Sequence, residues 1–124
     1  MTAWLETLAG IVGPRHLITD PDQLAPHCLD WRQRYQGRAV ALARPGSTAE
    51  VAALVRACVA AGVPMVPQGG NTSHCGAATP DDSGHALIIQ LNRLHALRAV
   101  DADNNTLTAE AGCTLAQVQD AAAG

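Results

Sequence analysis

The chain has 124 residues, a formal net charge of −3 at pH 7 and 48% hydrophobic residues, with two tryptophans, one tyrosine and no phenylalanine. This length suits one small domain and is too short for a two-domain enzyme. The eight lysine-plus-arginine positions are all arginine, so Schiff-base and phosphate-binding lysines are excluded, and the acidic balance excludes a nucleic-acid partner.

The first predicted element is an amphipathic helix that ends at Gly13. Its apolar residues recur at helical spacing and are Trp4, Leu5, Leu8, Ile11 and Val12. The stretch carries no arginine and only scattered apolar residues, so it predicts neither a signal peptide nor a membrane span, and we expect a cytoplasmic protein. Asp20 and Pro21 then predict the N-cap and first position of a short helical segment that reaches Cys28.

A β-α-β unit is predicted in the middle of the chain. Ala39–Ala43 alternates as a strand does, and Ser47 with Glu50 forms a capping box for a helix that ends before Gly62. The apolar stripe of this helix comprises Val51, Leu54, Val55, Cys58 and Val59. The next predicted strand, Val63–Pro67, leads directly into a glycine-rich loop.

The second half is predicted to add a further strand, a hairpin and a helix. Ala86–Leu91 is an apolar run of strand length, and Ala99–Asp101 pairs with Thr106–Glu110 around an Asn-Asn turn, which makes this half antiparallel. Thr114 and Gln117 form a second capping box, so another helix begins near the end of the sequence.

The glycine-rich loop is the segment with the clearest chemistry. It follows a predicted strand, which is where open α/β sheets bind ligands. Paired glycines allow an anion to approach the backbone N–H groups, and amide and hydroxyl side chains add uncharged donors. The candidate residues are Gly69, Gly70, Asn71, Thr72, Ser73 and Gly76. The spacing fits neither common nucleotide fingerprint, so the residues alone leave two interpretations: a phosphate or pyrophosphate cradle, or an ordinary polar turn.

Three ordered motifs resemble one family. They occupy residues 44–51 (RPGSTAEV), 62–72 (GVPMVPQGGNT) and 110–115 (EAGCTL). In this order they resemble the N-terminal part of FAD-linked oxidases of the para-cresol methylhydroxylase (PCMH) and vanillyl-alcohol oxidase superfamily, most of all its D-lactate, glycolate and D-2-hydroxyglutarate dehydrogenases. The resemblance runs from about Asp20 onward. It implies an α+β (α/β) fold, a PCMH-type N-terminal subdomain with a small parallel β-α-β sheet and the start of an antiparallel subdomain.

The resemblance also implies which residues bind the cofactor. In this family the glycine-rich loop wraps the FAD pyrophosphate through backbone N–H groups, and the turn at Pro45 and the corner at Gly112 lie nearby. The loop residues that inherit this role are Gly69, Gly70, Asn71, Thr72, Ser73 and Gly76. Family members commonly continue the loop with an aliphatic pair and two glycines, whereas this chain reads His-Cys-Gly-Ala at residues 74–77, a departure in the path after Ser73.

The activity that the resemblance implies is hydride transfer from the α-carbon of a D-2-hydroxy acid to FAD. A base takes the hydroxyl proton and an arginine holds the carboxylate, and in the family both lie in a later substrate domain. We therefore expect residues 1–124 to be the N-terminal part of a PCMH-type FAD-binding domain that continues past Gly124, with no catalytic residue and no activity alone. The alternative is a non-catalytic binding or interaction module whose relic loop binds no flavin.

The remaining candidate groups are interpreted without a ligand. The neighbours His27–Cys28 and His74–Cys75 do not predict a metal site, because adjacent side chains seldom reach one ion, and we expect no flavin bonded to His74 or Cys75. Trp31 and Tyr35 are interpreted as core anchors rather than adenine-stacking residues. A sheet that further domains would cover leaves apolar area exposed, so the chain alone is expected to self-associate and to bind FAD weakly.

Overall fold

The computed structural model describes residues 3–123, and the predicted continuation past Gly124 lies outside this range. Within it, helices pack on a four-stranded mixed sheet, and a two-stranded hairpin stands beside them. The elements in chain order are α1 (Ala3–Val12), a 3-10 turn (Pro14–His16), β1 (Leu17–Ile18), α2 (Pro21–Leu24), a second 3-10 turn (Ala25–Cys28), β2 (Ala39–Ala43), α3 (Thr48–Ala61), β3 (Met65–Gln68), β4 (Ala86–Gln90), β5 (Leu97–Asp101), β6 (Thr106–Ala109) and α4 (Leu115–Ala123).

The sheet has the order β1-β2-β4-β3, so β4 lies between the two strands of the predicted β-α-β unit. All five residues of β4 are buried, and the strand runs parallel to both neighbours. A strand covered on both faces has an unbroken apolar run of this kind. The prediction that the second half of the chain is antiparallel is therefore wrong for β4, and it is confirmed for the pair β5 and β6.

The N-terminal helices begin and end at the residues that the sequence predicts. Gly13 ends α1 with a φ of 89°, a positive value that glycine adopts without strain because it has no Cβ. Asp20 caps α2, since its carboxylate accepts a hydrogen bond from the backbone N–H of Asp22 at 3.1 Å. The two-residue β1, which pairs antiparallel with the end of β2, was not predicted because two residues show no periodicity.

Helix α3 begins and ends where the sequence predicts. Ser47 Oγ accepts a hydrogen bond from the Glu50 N–H at 3.1 Å, and Gly62 closes the helix in the left-handed conformation. The Glu50 carboxylate reaches back one residue further than a standard capping box, to the Gly46 N–H at 3.0 Å.

The apolar stripe of α3 is narrower than predicted. Leu54 and Cys58 are fully buried, which confirms Cys58 as a small core residue. Val59 is 69% exposed and Val55 is 36% exposed, so the predicted stripe is wrong for these two valines. Leu54 and Cys58 pack against α1 and the sheet, whereas Val55 and Val59 lie on the exposed side of the helix.

Two apolar layers cover the two faces of the sheet. One contains residues of α1, α3 and alternate strand positions, namely Leu8, Val12, Ala41, Ala43, Leu54, Cys58, Leu87 and Ile89. The other contains the short helical segment before β2 and the intervening strand positions, namely Leu24, Cys28, Leu42 and Ile88. The second layer places residues 25–29 against the sheet, beside the end of β3.

The C-terminal part confirms the predicted hairpin and helix. Strands β5 and β6 pair antiparallel. Thr114 and Gln117 form a reciprocal capping box, in which each backbone N–H donates to the other side chain, at 2.7 and 3.2 Å. Every residue of β5 except Asp101 is exposed.

Candidate functional site

The carboxyl ends of β2, β4 and β3 lie at one edge of the sheet, because these strands are parallel. Three segments leave the strands at this edge: residues 44–47, residues 91–94 and the glycine-rich loop of residues 69–76. A loop cluster at the carboxyl edge of a parallel sheet is the position where such sheets bind ligands.

Hydrogen bonds at the end of β3 fix the direction of two glycine N–H groups. The Gln68 carbonyl accepts from the Leu91 N–H at 2.9 Å, and the Gly69 carbonyl accepts from Gln90 Nε2 at 3.0 Å. In a trans peptide the C=O and the following N–H point in opposite directions. The N–H of Gly69 therefore points away from β4, and the N–H of Gly70 points away from the Gln90 side chain.

These N–H groups are available to a ligand. Within residues 3–123, no backbone N–H of residues 69–74 donates a hydrogen bond to the protein. A Cβ added to Gly70 would meet nothing within 4 Å, and one on Gly69 would meet only the Ala111 carbonyl, at 4.0 Å. Packing within the chain does not require glycine at either position. The free surface is instead what close approach of an anion to the backbone requires.

Two side chains tether the loop to residues 26–29. Asn71, which has a φ of 59°, donates from Nδ2 to the carbonyl of Leu29 at 3.0 Å. Its Oδ1 is buried and has no hydrogen-bond partner among the described residues. Gln68 is 1% exposed and bonds through its amide to His27 and Ala78. Nothing in the sequence pattern pointed to Gln68, because its role depends on partners ten and 41 residues away.

The turn that contains Pro45 is held by an arginine that no sequence motif marks. Arg93 Nη1 donates to the Arg44 carbonyl at 2.7 Å and lies 3.8 Å from Glu50 Oε1. A Cβ added to Gly46 would lie 2.5 Å from Arg93 Nη2, so the guanidinium packs directly on this glycine. Pro45 itself is fully buried, which leaves its ring no free surface in this chain.

Gly112 is a packing glycine. Its N–H donates to the Leu94 carbonyl at 2.8 Å, and a Cβ at this position would overlap the carbonyl oxygen of Leu91. The corner formed by Ala111 and Gly112 lies beside Gly69. Gly112 therefore lies next to the loop, and its Cβ position is filled by the backbone of Leu91.

The far half of the loop is covered by aromatic side chains. The Trp31 and His74 rings meet edge to face, with centroids 5.6 Å apart. The Tyr35 ring packs on Gly76, whose φ is 77°. Trp31 is 56% exposed and Tyr35 is 45% exposed, so their interpretation as core anchors is wrong. Both rings pack on residues of the polar loop and leave the rest of their surface exposed.

A buried aspartate shapes the turn that carries these rings. Asp30 is 2% exposed, and its Oδ1 accepts from the N–H groups of Tyr35 at 2.9 Å and Arg34 at 2.6 Å. The Tyr35 bond is the main reason that the pKa of the Asp30 carboxyl lies below its ordinary value. The ionised carboxylate therefore fixes the turn beside the loop.

The two His-Cys neighbours lie in different environments. Cys28 is buried, and burial raises the pKa of its thiol, whereas Cys75 is exposed. Among the described residues, no three His, Cys, Asp or Glu side chains are grouped in a way that could hold a metal ion. No helix in residues 3–123 is long and apolar enough to cross a membrane.

Sequence comparison relates the chain to flavoproteins. A family model described as an FAD binding domain matches residues 39–124. A Bos taurus relative named D-2-hydroxyglutarate dehydrogenase, mitochondrial, is 37% identical over 108 residues, which is 84% of this chain. A Xanthomonas citri pv. viticola relative named D-2-hydroxyglutarate dehydrogenase is 38% identical over 106 residues, which is 86% of this chain. The chain spans only 19% and 22% of the length of these two relatives.

Solved structures share the fold. A p-cresol methylhydroxylase crystal structure matches 95% of this chain and 23% of its own with a TM-score of 0.81 at 20% identity. An alkyldihydroxyacetonephosphate synthase structure matches 95% of this chain and 24% of its own with a TM-score of 0.82 at 20% identity. These similarities confirm the expected PCMH-type fold.

Proposed function

The chain belongs to the FAD-binding domain family, and on that premise we propose that its glycine-rich loop holds the pyrophosphate of FAD. The observation that carries this proposal is the run of N–H groups at residues 69–74, which have no acceptor in the described chain. A pyrophosphate brings negatively charged oxygens that accept several such hydrogen bonds, and these donors need no lysine.

The proposed roles differ between the loop and its surroundings. The backbone N–H groups of the loop and its hydroxyl side chains contact the phosphates directly; these residues are Gly69, Gly70, Asn71, Thr72, Ser73 and Gly76. Asn71 contributes its backbone N–H, because its side-chain amide bonds to the Leu29 carbonyl. Pro45 and Gly112 act by placing neighbouring backbone at the site, since Pro45 is buried and Gly112 packs against the Leu91 carbonyl.

We further propose that the domain serves an FAD-dependent oxidoreductase that acts on a D-2-hydroxy acid. FAD supplies the hydride acceptor for the α-carbon of such a substrate. The relatives that bear the name D-2-hydroxyglutarate dehydrogenase are about five times as long as the matched segment. We place the base and the carboxylate-binding arginine outside residues 1–124, so these residues bind and orient the cofactor and hold no catalytic residue.

Titration calorimetry of the 124-residue chain tests this function. FAD is expected to bind weakly, because only the pyrophosphate part of the site is present, and riboflavin, which lacks phosphate, is expected not to bind. Absence of FAD binding at millimolar concentration would instead support the alternative of an interaction module with a relic loop.

The isolated chain is also proposed to self-associate. Leu97, Val100 and Leu115 are large apolar side chains of the hairpin and α4, with exposures of 41%, 56% and 71%. Exposed apolar surface of this kind favours association. Sedimentation velocity is expected to show a dimer or larger species, and a monomer at all concentrations would contradict the proposal.

A cytoplasmic location stays a prediction. The Bos taurus relative is named as a mitochondrial protein, so the two compartments are the outcomes to distinguish. Fractionation of cells that express the protein, followed by detection with an antibody against this chain, decides between them.

A further inference from the structure

The side chain of Gln68 closes the base of the glycine-rich loop. Gln68 is the last residue of β3, and its Nε2 donates to the carbonyl of Ala78 at 3.0 Å. The same Nε2 donates to the carbonyl of His27 at 2.8 Å, and Oε1 lies 2.8 Å from His27 Nδ1. One buried amide therefore joins the start of the loop, the end of the loop and the segment beneath it.

These contacts fix the orientation of the amide and the tautomer of the histidine. Two carbonyl oxygens can only accept, so the atom of Gln68 that faces them must be the NH₂ group. The remaining atom, Oε1, is an acceptor, and its partner His27 Nδ1 must carry a proton. In the neutral imidazole this leaves Nε2 without a proton.

A second bond ties the middle of the loop to the same segment. Asn71 Nδ2 donates to the Leu29 carbonyl at 3.0 Å, two residues after His27. The path of the loop between Gln68 and Ala78 thus depends on residues 27–29. These residues precede the part of the chain that the family model matches, which begins at residue 39.

We infer that Gln68 and His27 are positioning residues for the anion-binding loop, with His27 held in the Nδ1–H form so that its ring donates to the Gln68 amide. The amide in turn holds the two ends of the loop at a set separation, which aligns the N–H groups of Gly69 and Gly70. The role in FAD binding rests on the proposed function, whereas the hydrogen-bond arrangement does not.

The tautomer is the first test, and it needs no cofactor. Nitrogen-15 chemical shifts of a neutral histidine ring show whether its proton is on Nδ1 or on Nε2. We expect His27 to show a protonated Nδ1. A neutral His27 with the proton on Nε2 would overturn the inference, whether or not the chain binds FAD.

Matched variants of His27 test the positioning role. Asparagine places an amide NH₂ where histidine has Nδ1, whereas leucine has similar bulk and no donor. We expect His27→Asn to bind FAD within about twofold of the unmodified chain and His27→Leu to bind about tenfold more weakly, since the loss of one buried hydrogen bond is worth about that factor.

Amide spectra of the same variants separate positioning from folding. In His27→Leu the N–H signals of Gly69 and Gly70 are expected to shift, and in His27→Asn they are expected to stay near their original positions. If the bond between His27 and Gln68 has only a structural role, His27→Leu lowers the melting temperature and leaves the FAD affinity of the folded protein unchanged, which would overturn the inference. Equal loss of affinity in both variants would overturn it as well.

The outcomes also separate this inference from the proposed function. If the unmodified chain does not bind FAD, the proposed function fails, while the tautomer and the amide shifts still test the hydrogen-bond arrangement. If FAD binds and the two His27 variants bind it equally well, the proposed function stands and the positioning role is wrong.

Discussion

The central strand β4 and the glycine-rich loop are neighbours that are ordered by different interactions. All five residues of β4 are buried. Residues 86–89 are held by apolar contact on both faces of the sheet, and Gln90 at the end of the strand bonds to the loop. The loop is held by polar side chains, chiefly Gln68, Gln90 and Asn71, each of which bonds to a distant carbonyl. The first region can therefore be changed only at a cost in stability, whereas parts of the second can be changed at a cost in binding.

The largest expected loss of stability follows from a change in the apolar layer. Leu54 is fully buried in α3, so Leu54→Ala removes apolar contacts and leaves a cavity. We expect the free energy of unfolding to fall by about 3 kcal/mol, as measured by urea denaturation. Val59→Ala, at an exposed position on the same helix, is the control and is expected to change it by less than about 0.5 kcal/mol. Equal losses would contradict the assigned core.

Gly112 and Gly70 both lie at the carboxyl edge of the sheet, and substitution of Gly112 is expected to have the larger effect on stability. In Gly112→Ala the new Cβ meets the Leu91 carbonyl oxygen, which is backbone and cannot move aside. We expect a loss of about 2 kcal/mol in the free energy of unfolding. An unchanged melting temperature would show that the corner of residues 111 and 112 is not packed as described.

Gly70, in the glycine-rich loop, is expected to show the opposite pattern. In Gly70→Ala the new Cβ meets nothing within 4 Å, so the melting temperature is expected to stay within a few degrees. The methyl group stands where an anion would approach the backbone, and FAD affinity is expected to fall about tenfold. Calorimetry that finds unchanged FAD affinity would separate Gly70 from the cofactor site.

The smallest expected effect is a pH dependence of the turn beside the loop. The pKa of Asp30 is lowered in the folded state, so its contribution to stability is fully present above the unfolded-state value of about 3.9 and is lost as the pH falls through the folded-state pKa. Thermal melts from about pH 6 to pH 3 should show a flatter acid decline in Asp30→Asn than in the unmodified chain.

The exposed Asp103 provides the control for this measurement, because it lies in the hairpin turn away from the loop. Asp103→Asn is expected to retain the acid decline of the unmodified chain. An identical decline in Asp30→Asn would show that the Asp30 carboxylate does not stabilise the turn.

The sequence predicted those parts of the fold that depend on local chemistry. Gly13, Gly62 and the capping boxes at Ser47 and Thr114 mark helix ends through contacts within a few residues, and all four are confirmed. The position of β4 between β2 and β3 was not predicted, because an apolar run shows burial on both faces and does not show which strands lie beside it.

The site was predicted only in part for the same reason. Glycines and small polar residues after a strand indicated the loop itself. Gln68 and His27, which hold the loop, lie 41 positions apart, and Arg93 holds the neighbouring turn at Pro45 across 49 positions. No spacing rule joins these residues. Trp31 and Tyr35 were predicted to lie in the core because their rings are apolar. In the structure they are exposed and pack on residues of the polar loop.

The most direct test of the central claim is an amide spectrum of the 124-residue chain titrated with ADP, which carries the pyrophosphate without the flavin. We predict that the N–H signals of residues 69–73 shift most, and that riboflavin, which has the flavin without the pyrophosphate, leaves them in place. ADP-induced shifts confined to other parts of the chain, or riboflavin shifts at the loop with none from ADP, would contradict the claim that these N–H groups bind the pyrophosphate.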